Sequence, residues 1–345
     1  MQKRRGIVYA GGAVKDPRLH RWLLGVAASF WLAGCERVAA PVPAREARPV
    51  PAETRALFAE PLRSLAPESR GPAAAEGRHS LERLSIASPR DANPGRRMDI
   101  DVYRPTVPGP RPVVLVLPSA GGSYWIERSF ARYFADHGYA AVLLRREKIP
   151  RAEKVIETVD QLLRQSVIDG GRVLDWVETQ PDLDGGRIGL LGISMGGIKG
   201  AVLAPLEPRV GAAVLGLAGG DLPVILTRTT EPGIAAEREA WLAASGLDLS
   251  GAERELRRVL RHDPLNYARY ADPRRFLLIL ARFDQAVPTA KGWQLWSALG
   301  EPETILLPTG HYTAVLAMPW LKPAIVQFFD ARLPPRRASP VRKGS

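Results

Sequence analysis

Hydrophobic positions in this chain fall into two alternating patterns between about residues 80 and 333. Short apolar runs of five to eight residues stand at 112–117, 139–144, 187–192, 210–217, 275–281 and 304–308. Each is bounded by Gly, Pro or charged residues, as expected of strands buried on both faces. Between them, stretches such as 127–137 and 158–178 carry apolar residues at helical spacing. Leu81–Ser88 and Met98–Tyr103 precede this series, the second with Met98, Ile100 and Val102 alternating against polar neighbours, and read as antiparallel entry strands. Alternating strands and helices predict an α/β domain with a mostly parallel central sheet and helices on both faces. The insertion at 222–268 breaks the alternation and reads as a small helical lid. Ser250-Gly-Ala-Glu253 has the capping-box pattern and predicts a helix from there to about His262.

One junction carries chemistry. Arg187-Ile-Gly-Leu-Leu-Gly-Ile-Ser194-Met-Gly-Gly197 is a strand running into Gly-x-Ser-x-Gly and then a helix. A serine hydroxyl is a weak nucleophile unless it is presented and a base takes its proton. Gly192 and Gly196 clear side chains from the reversal and leave Ser194 at its tip. Downstream, the run 275–281 empties into Phe283-Asp284-Gln-Ala-Val-Pro288, and 304–308 ends in Thr309-Gly-His311. In the order Ser194, Asp284, His311, the chain resembles the α/β-hydrolases, near the dienelactone-hydrolase and acyl-esterase branches, over about residues 80 to 333.

The resemblance implies roles. Ser194 would attack, His311 would act as general base, and Asp284 would orient the imidazole. Among the five histidines, His20 lies in the amino-terminal signal region, His79 in a linker, His137 at a helix end and His262 in the lid. Asp221, directly after the strand 210–217, is the rival acid, since some relatives of this fold place it there; the Gln-Ala-Val-Pro after Asp284 resembles the family pattern. Two backbone N–H groups should hold the oxyanion: that of Met195, and one from Pro118-Ser-Ala-Gly-Gly122 after strand 112–117. Relatives usually carry His-Gly where this chain has Pro118-Ser119. Ala120 is therefore favoured over Gly121 as the second donor, while Gly121-Gly122 could also be a plain flexible turn.

The amino end has a separate logic. Basic residues to Arg21 precede the apolar run Trp22–Ala33, which ends in Leu32-Ala-Gly-Cys35. Twelve residues at about 1.5 Å each span about 18 Å, short of the ~30 Å hydrocarbon core, so 1–34 reads as a signal peptide. The residues before Cys35, the single cysteine, resemble a bacterial lipoprotein box. Lipid attachment at Cys35 would hold the protein at the cell envelope, facing the periplasm or exterior. Residues 35–79 are rich in Pro and Ala and read as a tether, with the patch Thr54–Leu65 able to dock on the domain.

Charge narrows the classes. The chain is +12, but residues 1–34 hold six basic residues and one acid, and the basic tail 334–345 holds four more basic residues, so the domain is nearly balanced. This disfavours a nucleic-acid surface. No metal-ligand spacing and no dinucleotide loop appear, so no metal and no cofactor are expected. Three functions remain open: a hydrolase of small-molecule or acyl esters and thioesters, a peptidase on the same fold, or a non-catalytic lipoprotein that keeps the scaffold. Tyr124 and Trp125, with Trp241 and Leu242 of the lid, are expected either to wall an acyl pocket or simply to pin the lid. Oligomeric state is left open.

Overall fold

The structure, a computed structural model, describes residues 36–38, 46–59, 64–67, 69–71, 73–88, 97–121, 123–146 and 155–334. The signal segment, Cys35 and the tail beyond 334 lie outside the described residues. Strands β4 (His79–Ala87) and β5 (Arg97–Pro105) form the antiparallel entry pair, with Leu84 opposite Ile100. The parallel series follows as β6 (Arg111–Leu117), β7 (Ala140–Leu144), β8 (Leu183–Ile193), β9 (Val210–Gly216), β10 (Phe276–Ala281) and β11 (Glu303–Leu307). Three short strands from the amino-terminal side join them: β1 (Glu36–Val38), β2 (Ser69–Arg70) and β3 (Ala74–Glu76).

Across the sheet the order is β1-β11-β10-β9-β8-β6-β7-β5-β4-β2, with β3 also on β4. Pairing is parallel from β11 through to β7 and antiparallel outside it. Within β6 the pleat sends Val113, Leu115 and Leu117 to one core and Val114 and Val116 to the other, all essentially inaccessible. Helices α2 (Trp125–Asp136) and α10 (Met318–Arg332) cover the second face through Phe130, Phe134, Ile325 and Phe329. Helices α3 (Val155–Glu178), α4 (Met195–Leu206) and α9 (Thr289–Ala298) cover the first, with Trp176 and Leu295 among its filled positions.

Two segments differ from their sequence reading. The Pro/Ala-rich stretch is more than a spacer, because it supplies β1, β2, β3 and the short helix α1 (Ala52–Ala56). Within the patch expected to dock, Phe58 sets its ring edge-on against His262 and Tyr267 at 5.3 and 5.7 Å, and Arg164 holds the Leu57 carbonyl. Leu57 itself stays exposed. The insertion consists of α5 (Leu222–Arg228), α6 (Pro232–Ser245), α7 (Leu249–Val259) and α8 (Pro264–Tyr267). Helix α5 is buried from Leu222 to Thr227 and belongs to the body of the domain. Helix α7 starts earlier than the Ser250 pattern predicts: Asp248 is its cap, accepting the Gly251 N–H at 2.7 Å, because a carboxylate three residues ahead of a free amide fits that role directly.

Candidate active site

The turn between β8 and α4 is the point from which the site is built. Ser194 sits at φ 57°, ψ −123°, a conformation that costs a side-chain-bearing residue about 1–3 kcal/mol and persists only where the surroundings enforce it. Its N–H donates to the Gly216 carbonyl at 2.8 Å, and its carbonyl accepts the Ile198 N–H at 3.0 Å. The flanking glycines are required by close approach. A Cβ on Gly192 would land on the backbone of Gly196, and one on Gly196 would land on the Leu117 carbonyl. The helix therefore starts against both β8 and the end of β6, with Ser194 lifted at its head.

The loops after β10 and β11 bring in the other two groups. Asp284 is buried, and its Oδ1 accepts the Val287 N–H at 2.8 Å. Thr289 accepts the Asp284 N–H at 3.2 Å and donates to the Ala281 carbonyl at 2.7 Å, which ties the turn to its strand. Asp284 Oδ2 lies 2.7 Å from His311 Nδ1, and His311 Nε2 lies 3.0 Å from Ser194 Oγ. A carboxylate only accepts, so Nδ1 of the neutral ring carries the hydrogen and Nε2 is left to accept from the serine. The His311 and Asp284 side chains are only 9% and 3% exposed, so water screens this pair weakly.

Asp221 is placed elsewhere. Its carboxylate pairs with Lys291 at 2.7 Å and Arg257 at 2.9 Å, and its N–H is held by the buried Asp263. Ala120 lies beside the serine in the loop after β6 and has no partner for its N–H among the described residues. The Met195 N–H is at the first position of α4, where no intrahelical acceptor exists. The Ser119 N–H is unavailable, because Glu127 accepts it at 2.9 Å along with the Ser119 hydroxyl at 2.7 Å. Glu127 was not singled out from the sequence, although a glutamate at the third position of a first turn is the residue that reaches back to preceding amides.

A cavity of about 460 Å³ opens at Ser194, His311 and Ala120 and runs down between the sheet and helices α2 and α10. Phe130, Leu191, Ile279, Leu307, Leu321 and Ile325 line its depth, all of them buried. Tyr124, Trp125 and Tyr312 stand at its mouth with Glu231, the cap of α6. Burial and then the Glu231 and Asp284 carboxylates push the Tyr312 hydroxyl above its ordinary range. Of the four residues expected at an acyl pocket, Tyr124 and Trp125 are there. Trp241 instead packs on the core beneath α6, and neither it nor Leu242 reaches the cavities beside Ser194, because α6 turns only its first residues toward them. A second cavity of about 350 Å³ lies on the other side of the loop, lined by Ala120, Gly121, Met195, Arg146, Lys199 and the start of α6, among others. Among the described residues no cluster of His, Cys, Asp and Glu is arranged to hold a metal ion, and no helix is long and apolar enough to cross a membrane.

The sheet, the strained serine turn and the loops that follow β10 and β11 together define an α/β-hydrolase fold. The model of the X-Pro dipeptidyl-peptidase (S15) family matches residues 94–223, which include Ser194 and stop before Asp284 and His311. Among solved structures, the chain resembles an acetyl xylan esterase from Paenibacillus at 19% identity and TM-score 0.61, covering 81% of this chain and 92% of that one. It also resembles acetyl xylan esterase 1 from Thermoanaerobacterium at 19% identity and TM-score 0.56, with 78% and 91% covered. A cold-adapted esterase from an Arctic intertidal metagenomic library aligns at 17% identity and TM-score 0.54, with 76% and 98% covered. No curated protein matches the sequence.

Proposed function

We propose that this protein is a serine hydrolase that cleaves carboxylic esters or thioesters through an acyl-enzyme. The observation that carries this reading is the continuous hydrogen-bonded chain from Ser194 Oγ through His311 to Asp284, opening onto an apolar chamber. Ser194 Oγ attacks the carbonyl carbon as His311 Nε2 takes its proton, and Asp284 stabilises the imidazolium that forms. The Ala120 and Met195 N–H groups receive the charge on the tetrahedral oxygen. Collapse expels the alcohol or thiol, which takes the proton from His311. Water then repeats the sequence on the acyl-enzyme and regenerates the free serine.

The chamber is suited to an apolar acyl chain, because its depth is built from buried hydrocarbon. A fluorophosphonate probe should label the wild type and leave Ser194→Ala unlabelled. If the folded wild type stays unlabelled, the protein is a non-catalytic scaffold. Along a series of p-nitrophenyl esters, kcat/KM should rise by up to about fourfold per methylene until the chamber is filled. The S15 match favours one second reading, cleavage of an amide. Faster turnover of an X-Pro p-nitroanilide than of every ester in the series would put that reading first.

The cell-envelope location is part of the proposal, and what supports it is the sequence around Cys35. In a bacterial host, metabolic labelling with palmitate should mark the wild type and miss Cys35→Ala.

A further inference from the structure

Arg146, two residues beyond the end of β7, makes an unusual set of contacts with the loop after β6. Its guanidinium Nη1 donates to the Ser119 carbonyl at 3.1 Å and to the Gly121 carbonyl at 2.8 Å, the two carbonyls on either side of Ala120. The guanidinium carbon stands 4.1 Å from the centre of the Tyr124 ring, and the Arg146 N–H donates to the Tyr124 hydroxyl at 2.8 Å. Tyr124 stands at the position just ahead of the helix that carries Glu127, whose carboxylate fixes Ser119. The loop is thus held by a cation on its carbonyls and an anion on its N–H.

The trans geometry of the peptide gives these contacts a direction. In a trans unit the C=O of one residue and the N–H of the next point opposite ways. Arg146 lines the second cavity and does not line the chamber that contains Ser194 and His311. Drawing the Ser119 carbonyl toward Arg146 therefore turns the Ala120 N–H away from the guanidinium, and Ala120 itself borders the chamber that holds Ser194. A charged donor on that carbonyl also polarises the same peptide and strengthens its N–H as a donor.

We propose that Arg146 is a positioning residue for transition-state stabilisation, aiming and polarising the Ala120 amide through the Ser119 carbonyl. This rests on the serine-hydrolase reading above. Arg146→Ala should lower kcat on a p-nitrophenyl ester by about 10- to 100-fold while KM changes little, since the oxyanion exists only in the transition state. The fall should appear per active site counted by burst titration. Millimolar guanidinium should restore part of the rate, and Arg146→Lys, which offers a point charge in place of a planar fork, should fall in between. Arg145→Ala removes a neighbouring cation that also lines the second cavity but bonds neither loop carbonyl, and should leave kcat within about threefold of wild type.

The inference is overturned if Arg146→Ala keeps kcat per site within threefold. It is equally overturned if the loss is wholly a loss of titratable sites, or if Arg145→Ala costs as much. An unlabelled, inactive wild type would instead remove the hydrolase reading itself, so the two failures are distinguishable.

Discussion

Asp284→Asn is the substitution whose outcome the geometry constrains most. The native carboxylate accepts from Val287 N–H on one oxygen and from His311 Nδ1 on the other. An amide has one acceptor. If its oxygen stays on the buried Val287 N–H, its NH2 faces His311, Nδ1 must become the acceptor, and Nε2 then carries the hydrogen. In that tautomer the ring cannot take the Ser194 proton. The opposite rotamer keeps the tautomer but sets NH2 against the Val287 N–H, at about 1–3 kcal/mol. Either way the imidazolium loses its counter-charge. With charge centres roughly 4 Å apart and an effective dielectric near 20, that is about 4 kcal/mol, or about 10³ in rate. Adding the tautomer effect, kcat/KM for a p-nitrophenyl ester should fall by about 10³- to 10⁴-fold. Fluorophosphonate labelling should slow in step, while the fold, followed by circular dichroism, is retained. Retention of more than a tenth of wild-type kcat/KM in a folded Asp284→Asn protein would refute the assignment of Asp284 as the orienting acid.

Asp221→Asn should do the reverse: stability to urea falls by about 1–3 kcal/mol as Lys291 loses its buried partner, and kcat stays within about twofold. Gly196→Ala forces a Cβ onto the Leu117 carbonyl and should cost about 1–3 kcal/mol or more together with most activity; a stable, active variant would contradict the packing of the turn. Leu321→Trp fills the chamber and should lower kcat/KM for long-chain esters while sparing acetate, read from the same ester series. Burial works to raise the Asp160 pKa, but the hydrogen bonds and charge of the His262 ring, with the N–H groups of His262 and Arg261, outweigh it and hold the carboxyl below the ordinary 3.8. That contribution to stability is present above the unfolded value and is lost as pH falls through the lower folded one. The gap in urea stability between wild type and Asp160→Asn should therefore shrink below about pH 4.

The sequence made the parallel series legible because strands buried on both faces leave uninterrupted apolar runs, and β6, β7, β9, β10 and β11 fall within a residue or two of those runs. Gly192 and Gly196 were readable for a similar reason: close backbone approach admits one residue type. The contacts of Arg146 were not readable, since an arginine near a strand end is ordinary and its partners lie 25 and 27 residues back in the chain. Strands β1 to β3 were hidden because an added edge strand needs only backbone groups and leaves little trace in side-chain pattern. Of the two readings open for Trp241, the structure agrees with the one that pins the lid; helix periodicity could not choose between them, since it tells which side of α6 is apolar but not what that side meets.

Strand β1 lies on β11 at one end of the sheet, and β2 and β3 lie on β4 at the other. Ten strands side by side put those ends about 43 Å apart, so a single leading stretch of chain reaches across the whole sheet and lays a selvedge along both margins. Trimming it back to the first long strand would leave two rows of unsatisfied peptide groups open to other molecules. Such a shortened form should self-associate, both along the uncovered margins and over the apolar surface that Val50, Phe58 and Leu65 now cover.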